Sequence, residues 1–210
     1  MCFSLVKIRV LEYDASGFKS PEQRRHIDYT VVKMTVHPDY NDRRFSNNLA
    51  VLLVDRAIDL LAHDEVNAAC LPTCDDMFSF VFANQTGTRC WTAGWGKDRL
   101  NGDFRTVMHK VDLPLVPARR CEQSLKREIR KKYPERADRL RLDSSEICAG
   151  GEQGKDACDG DGGAPLVCQA LSGRWFVVGL VTWGVDCAVT DVPGVYARVS
   201  HFINWIDRQN

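Results

Sequence analysis

Nine cysteines spread over 210 residues constrain this chain more than any other feature. Cellular thiol buffers keep cytosolic cysteines reduced, so such a density points to an oxidising compartment where they pair into staples. No leader precedes them. Met1 to Val6 offers only a few apolar residues before Lys7, too short for a secretory signal. The expectation is that the sequence begins partway through a longer secreted protein, its signal peptide lying outside this chain. The odd cysteine count agrees, since at least one partner is then missing. Asn84-Gln85-Thr86 is an N-glycosylation sequon that suits a secreted surface loop, although such tripeptides also arise by chance.

Composition narrows the class further. Lys and Arg balance Asp and Glu at 28 each, and the isoelectric point is about 6.9. Such a chain exerts no overall pull on nucleic acid or on a membrane surface. No apolar run approaches the 18 residues of a membrane span. A chain of this length buries a sizeable core as one domain or two small ones.

Most of the chain reads as short strands punctuated by turns. Lys7 to Leu11 alternates, as does Thr30 to His37, with Val32, Met34 and Val36 on one face before His37-Pro38 ends the ladder. Ala50 to Val54 is a short continuous apolar run, the pattern of a strand buried on both faces. Val107 to Leu113 alternates again. Pro165 to Gln169 and Trp175 to Thr182 flank Ser172-Gly173, a hairpin signal. Gly194 to Arg198 is a further strand. A closing helix follows, with Ser200 as N-cap and Phe202, Ile203, Trp205 and Ile206 on its apolar face. Many short strands with turn signals argue for β-barrels or a sandwich.

One stretch departs from this pattern. Arg119 to Arg141 holds ten Lys or Arg against four Asp or Glu, with Leu125, Ile129 and Tyr133 at helical spacing. It reads as a solvated cationic helix and loop; the sharper alternative is a docking surface for an acidic partner.

The segment Cys158-Asp159-Gly160-Asp161-Gly162-Gly163-Ala164-Pro165 resembles the nucleophile loop of trypsin-like (chymotrypsin-fold, peptidase S1) serine proteases. Four other motifs stand in that family's order. They are Cys90-Trp91-Thr92-Ala93-Gly94-Trp95-Gly96, Ile147-Cys148-Ala149-Gly150-Gly151, Thr182-Trp183-Gly184 with Pro193-Gly194-Val195-Tyr196, and the closing Phe202 to Asp207. Within the family the chain is most similar to arthropod clip-domain serine protease homologues (masquerade-like). It shares their Gly160-Asp161-Gly162-Gly163, Lys110-Val111-Asp112-Leu113-Pro114 and Gly150-Gly151-Glu152 stretches. The resemblance implies disulfides Cys90–Cys168, Cys121–Cys148 and Cys158–Cys187. It leaves Cys2, Cys70 and Cys74, of which Cys70 is similar to the cysteine that tethers an upstream regulatory segment.

Acyl transfer by the family's mechanism needs a nucleophile, a base and a carboxylate that orients the base. By resemblance the nucleophile position is Gly162, which has no side chain. The orienting position is Asn48, in Asn47-Asn48-Leu49-Ala50-Val51, and an amide does not stabilise an imidazolium as a carboxylate does. The base histidine would lie upstream of Lys7. None of Ser144, Ser145 or Thr182 has a base placed beside it.

What the resemblance leaves intact is a specificity pocket. Asp156 stands where a carboxylate selects Arg or Lys. Thr182, Trp183, Gly184 and Gly194 form its walls, and Asp186 sits at the mouth where active members have glycine. Backbone N–H groups of Gly160 and Gly162 stand at the oxyanion hole. Asp161 matches the partner of a new N-terminus after activation cleavage. Whether the pocket is an inherited relic or a live binding site stays open at this point. No cofactor is required; the one candidate is calcium held by Glu12 and Glu22, with Lys19 where a third carboxylate would help.

The implied fold is all-β. Two antiparallel six-stranded β-barrels (chymotrypsin-like), the first truncated, are followed by a C-terminal α-helix. Residues 1–54 form the partial N-terminal barrel, 55–88 the connection, 89–198 the C-terminal barrel and 199–210 the helix. A half barrel with open strand edges is expected to be poorly soluble alone. The functional expectation is a secreted, non-catalytic serine protease homologue, a pseudoenzyme regulating an innate-immune (prophenoloxidase or melanisation-type) protease cascade. Its partners would be other proteins, cascade proteases or their substrates, with no nucleic acid and no membrane. The alternatives are a trypsin-like endopeptidase, which the fold alone would suggest, and a truncated fragment with no function.

Overall fold

A computed structural model describes residues 6–17, 26–62, 64–72, 88–170 and 172–209. Among the described residues, nine strands fall into two sheets. Strands β1 (Lys7–Val10), β2 (Ile27–Val36) and β3 (Ala50–Val54) form a three-stranded antiparallel sheet in the order β1-β2-β3. Strands β4 (Arg89–Gly94), β5 (His109–Val116), β6 (Glu146–Gly150), β7 (Pro165–Gln169), β8 (Trp175–Trp183) and β9 (Pro193–Arg198) close into a barrel in the order β4-β5-β6-β9-β8-β7. Three helices accompany them: α1 (Ala118–Lys132), the single-turn α2 (Pro134–Ala137) and α3 (Val199–Asp207). The expected six-stranded second barrel and closing helix are therefore present.

The barrel closes where β4 pairs with β7, and Cys90 lies directly opposite Cys168 in that register. Their disulfide stitches the seam across a sequence separation of 78 residues. Cys121–Cys148 pins α1 to β6, and Cys158–Cys187 joins two loops. These are the three pairs that the family resemblance implied. Each such link typically contributes about 2–4 kcal/mol by restricting the unfolded chain. Alternation does the rest. In β4, Cys90 and Thr92 point inward; in β7, Leu166 and Cys168 do so. With Leu113, Leu115, Val178 and Tyr196 they fill a core from which water is excluded.

The first sheet differs from its sequence pattern. The apolar run Ala50–Val54 predicts burial on both faces, yet Ala50, Leu52 and Leu53 are exposed, as are Val32 and Val36 of β2. Leu52 and Leu53 are consecutive and so point to opposite faces, and both are exposed, whereas Tyr29 and Val31 of β2 are buried. Strand boundaries also shift. Leu11, with φ of 65°, leaves the extended region and ends β1 one residue early, while β5 runs His109–Val116 where Val107–Leu113 was expected. The N-cap of α3 is Arg198, not Ser200. Ser200 lies inside the helix, where its Oγ accepts a hydrogen bond from Arg198 Nε at 3.1 Å.

Contacts from the loop and strand ends around β2 and β3 help to seat the small sheet on the barrel and its closing helix; Leu49 packs with Phe202 and Trp205. Asn47 N–H donates to Ser145 Oγ at 3.0 Å. His37 packs its ring on Phe202 and Trp205 of α3, centroids 5.2 and 4.9 Å away. His37 Nδ1 accepts from Asp39 N–H at 3.3 Å, so its lone pair is in use and the ring is neutral. Burial lowers its pKa below the usual histidine value; Asp39 opposes this, while His201 and Arg208 act in the same direction as burial. A depressed histidine pKa means the folded state binds fewer protons than the unfolded one. Its stabilisation is complete above about pH 6.5 and is lost as pH falls through the folded value. The thermal midpoint should therefore drop between pH 7 and pH 5 by more in the wild type than in His37→Gln. Parallel curves for the two proteins would show that His37 does not couple the sheet to the helix.

Candidate functional site

The ends of β8 and β9 and the turn before β7 enclose a cavity of about 300 Å³. It brings together Asp156, Gly160, Gly162, Thr182, Trp183, Gly184, Asp186 and Gly194, all eight residues assigned to the pocket and oxyanion positions. The strands supply the walls. Thr182 Oγ1 donates to Val195 O across the β8–β9 pair at 2.8 Å. Trp183 Nε1 donates to Glu146 Oε1 at 2.8 Å, which fixes the indole. Glu146 is itself buried, and desolvation raises its pKa despite bonds from Trp183 and Asp143.

Asp156 lies deep in the cavity. Its Oδ1 accepts from Ala157 N–H at 2.9 Å and its Oδ2 from Ala188 N–H at 3.0 Å. Two amide donors favour the charged form, but burial outweighs them, with Asp161 adding like charge, and the pKa is pushed up to about 7. A Cβ at position 194 would stand 3.2 Å from Asp156 Oδ1, so Gly194 keeps the carboxylate accessible. Tyr196 presents a buried phenol beside the same glycine; its hydroxyl has no hydrogen-bond partner among the described residues. Burial raises its pKa as well.

The turn from Cys158 to Gly163 is shaped by the Asp161 carboxylate and by glycines, with no side chain at Gly162. Asp161 accepts from Gly96 N–H at 2.8 Å and Cys158 N–H at 3.0 Å. Side chains at Gly94 or Gly96 would collide with that carboxylate, a Cβ reaching Asp161 atoms at 2.1 and 2.5 Å respectively. Gly160 has φ of 97°, and a Cβ there would meet the Phe104 ring at 2.7 Å. Gly162 is different. Its φ is not in the left-handed region and a Cβ would meet nothing within 4 Å. A serine would fit there without strain.

Asp186 lines the mouth of the cavity with a left-handed backbone, φ 61°. Both its oxygens accept from Lys132 Nζ at 2.9 Å. Sequence reasoning missed this lysine, because 54 residues separate the partners and no local pattern joins them.

Other assigned positions lie apart. Asn48 is half-buried in the turn before β3 and does not line the cavity. Ser145 is buried with its Oγ taken by Asn47, and Thr182 is bonded to Val195, so neither hydroxyl is poised to attack. Ser144 is exposed and does not line the cavity. Glu12 Oε2 receives Arg9 Nη1 at 3.2 Å and faces His26 Nδ1 at 3.3 Å. Internal basic groups thus face the one described member of the calcium pair; Glu22 and Lys19 lie outside the described residues. So do Cys2, Cys74 and Asn84. Cys70 forms no disulfide among the described residues and lies 3.4 Å from Arg174 Nη2.

The cationic stretch is largely paired from within. Ion pairs link Lys126–Glu122, Arg130–Asp138, Lys131–Glu128 and Lys132–Asp186, and Arg120 and Arg127 both approach Asp191. Internal pairing is thus the main employment of these charges, and the docking-surface alternative loses most of its free cations.

A barrel of this order, with a carboxylate-floored pocket beside a glycine-rich turn, defines a chymotrypsin-like serine protease fold. Residues 2–206 match the Trypsin family, and the chain belongs to it. It is 41% identical over 207 residues to Inactive CLIP domain-containing serine protease A3 of Aedes aegypti, covering 96% of this chain and 39% of that protein. It is 32% identical to Phenoloxidase-activating factor 2 of Galleria mellonella, covering 96% of this chain and 63% of the relative. Against Inactive CLIP domain-containing serine protease A28 of Anopheles gambiae the identity is 34%, with 93% and 47% covered. The chain thus spans between about two fifths and under two thirds of these relatives' length.

The raised pKa of Asp156 carries a stability consequence. Between its unfolded value near 3.8 and its folded value near 7 the native state holds a proton that the unfolded state has lost. Stability therefore falls as pH rises through this window. Asp156→Asn cannot ionise, so its stability relative to wild type should increase from pH 4 to pH 8 in denaturant titrations. A constant difference would mean that Asp156 is not buried as described.

Proposed function

We propose that this chain is the protease-like part of a secreted, non-catalytic serine protease homologue. It acts by binding other proteins in a phenoloxidase-activating type of cascade, with cascade proteases or their substrates as partners. The observation that carries this reading is Gly162. Its turn has room for a side chain at the position that the resemblance assigns to the nucleophile, yet has none. Removing the nucleophile from a serine protease costs about a million-fold in rate, and further losses add little. Asn48 at the orienting position points the same way. Two relatives whose names call them inactive, and a third named as a phenoloxidase-activating factor, support the cascade setting. Three disulfides suit an extracellular protein, and no helix among the described residues is long and apolar enough to cross a membrane.

The cavity gives the binding role a chemistry. A carboxylate at the floor of a narrow slot takes a guanidinium or amidinium without cleaving anything. The same pocket and the fold itself favour the endopeptidase reading, which a kinetic test separates. Pure protein should not hydrolyse Arg- or Lys-containing peptide substrates above background. Gly162→Ser should fold with a stability change under about 0.5 kcal/mol and remain inactive. Turnover by the wild type would overturn the proposal.

Ligand binding supplies a second check. A monoamidine binds the ionised form of Asp156, so its affinity should be about tenfold weaker at pH 6 than at pH 8. Equal affinity at both pH values, or no binding at either, would leave Asp156 without this role.

A further inference from the structure

The mouth of the cavity carries a second carboxylate, and an internal cation is set against it. Asp186 lines the cavity and retains only 18% of its side-chain exposure. Lys132, at the last position of α1, reaches over with Nζ 2.9 Å from both Asp186 oxygens. Its side chain is 52% exposed and does not itself line the cavity. No other cation of the described structure forms an ion pair with Asp186.

The loop bearing Asp186 has few other ways to adjust. Asp186, Ala188 and Asp191 all take left-handed backbone angles near 60°, costly for residues with a Cβ. Cys187 is bonded to Cys158, and Ala188 N–H is held by Asp156 at the cavity floor. Gly154 N–H donates to Ala188 O at 3.0 Å. The loop is thus tied at its base, and the Lys132 ion pair is what fixes the charge at its rim.

We infer that Lys132 is a positioning residue that masks Asp186. It makes the cavity a site for a ligand with one cationic group, such as a single arginine or lysine side chain, and selects against a ligand carrying a second cation at the mouth. Asp156 meets the first cation at the floor. A second would have to displace Lys132, a tethered counter-ion whose effective concentration no free ligand matches. This inference rests on the reading of the cavity as a cation-binding pocket.

Four proteins test it: wild type, Lys132→Ala, Lys132→Arg, and Lys132→Ala combined with Asp186→Ala. Two probes are used, p-aminobenzamidine as the monocation and a flexible bis-benzamidine as the dication. Lys132→Ala should bind the dication roughly fivefold more tightly while the monocation changes by less than about twofold, since a partly exposed charge pair is worth a modest factor. That gain should shrink in about 0.5 M salt, where exposed charges are screened. Lys132→Arg should restore wild-type discrimination, which a merely structural defect in α1 would not require. The gain should vanish in the double variant. Lys132→Ala that leaves the ratio of the two affinities unchanged, or a gain that survives removal of Asp186, overturns the masking role while the pocket reading stands. Failure of all four proteins to bind p-aminobenzamidine overturns the pocket reading, and this inference with it.

Discussion

Closure of the second barrel is the constraint on which the rest of the molecule depends. The β4–β7 seam, with Cys90 bonded to the residue it faces, turns six short strands into a ring without free edges. Everything that shapes the cavity hangs from that ring. Thr182 and Trp183 end β8, Gly194 stands near the start of β9, and the Cys158–Gly163 turn leads into β7. Because the ring fixes these ends, the turn between them keeps its form through the Asp161 carboxylate and glycines. A nucleophile side chain contributes nothing to that form. The turn's form is therefore compatible with a glycine at position 162.

Buried charge is the second theme. Asp161, Asp156 and Glu146 each accept two hydrogen bonds from N–H donors. Hydrogen bonds favour the charged form and desolvation the neutral one, so burial decides the balance. For Asp156 and Glu146 desolvation dominates and the pKa rises. At the surface the balance reverses. Asp112 receives Lys155 and Arg89, and its pKa is lowered to about 2. Arg89 also grips Glu152 with two bonds, at 2.9 and 2.8 Å, so this network ties the β4–β5 pair to the turn after β6. Pairing in water holds these groups charged, whereas the cavity keeps Asp156 near its midpoint at neutral pH.

Much of this architecture was legible in the sequence because it follows short periods. Period-2 alternation located β1, β2 and β5, a continuous apolar run located β3, and a hairpin signal located β7 and β8; β9 was read as a further strand, and β4 and β6 followed from the family motifs around Cys90 and Cys148. The eight cavity residues and the three disulfides also came from those motifs, not from spacing. What failed was whatever depends on a neighbour far along the chain. An apolar run such as Ala50–Val54 says that a strand forms, but only the sheet's partners decide which faces are covered. Ser200 has the chemistry of an N-cap, yet β9 runs directly into α3 and moves the cap to Arg198. Ser145, an unremarkable loop serine in the sequence, is buried because Asn47 from the other sheet needs its oxygen.

The cationic stretch shows most clearly how tertiary pairing changes the meaning of a sequence. Read along the chain, ten basic residues in 23 positions look like a field directed at a partner. In the fold their placement is explained from within. Arg130, Lys131 and Lys132 occupy the last turn of α1, where the helix dipole favours cations. Arg119 and Arg120 sit in the first turn, where the dipole disfavours them, and Asp191 approaches Arg120 and offsets part of that cost. Glu122 and Glu128 neutralise two more along the helix. Arg120 and Arg127 also reach the loop that carries Asp186, but Lys132 differs because its acceptor lines the cavity. If Lys132 masks Asp186 as we infer, the charge of α1 bears on the cavity less through its sum than through the one side chain that pairs with a cavity-lining carboxylate.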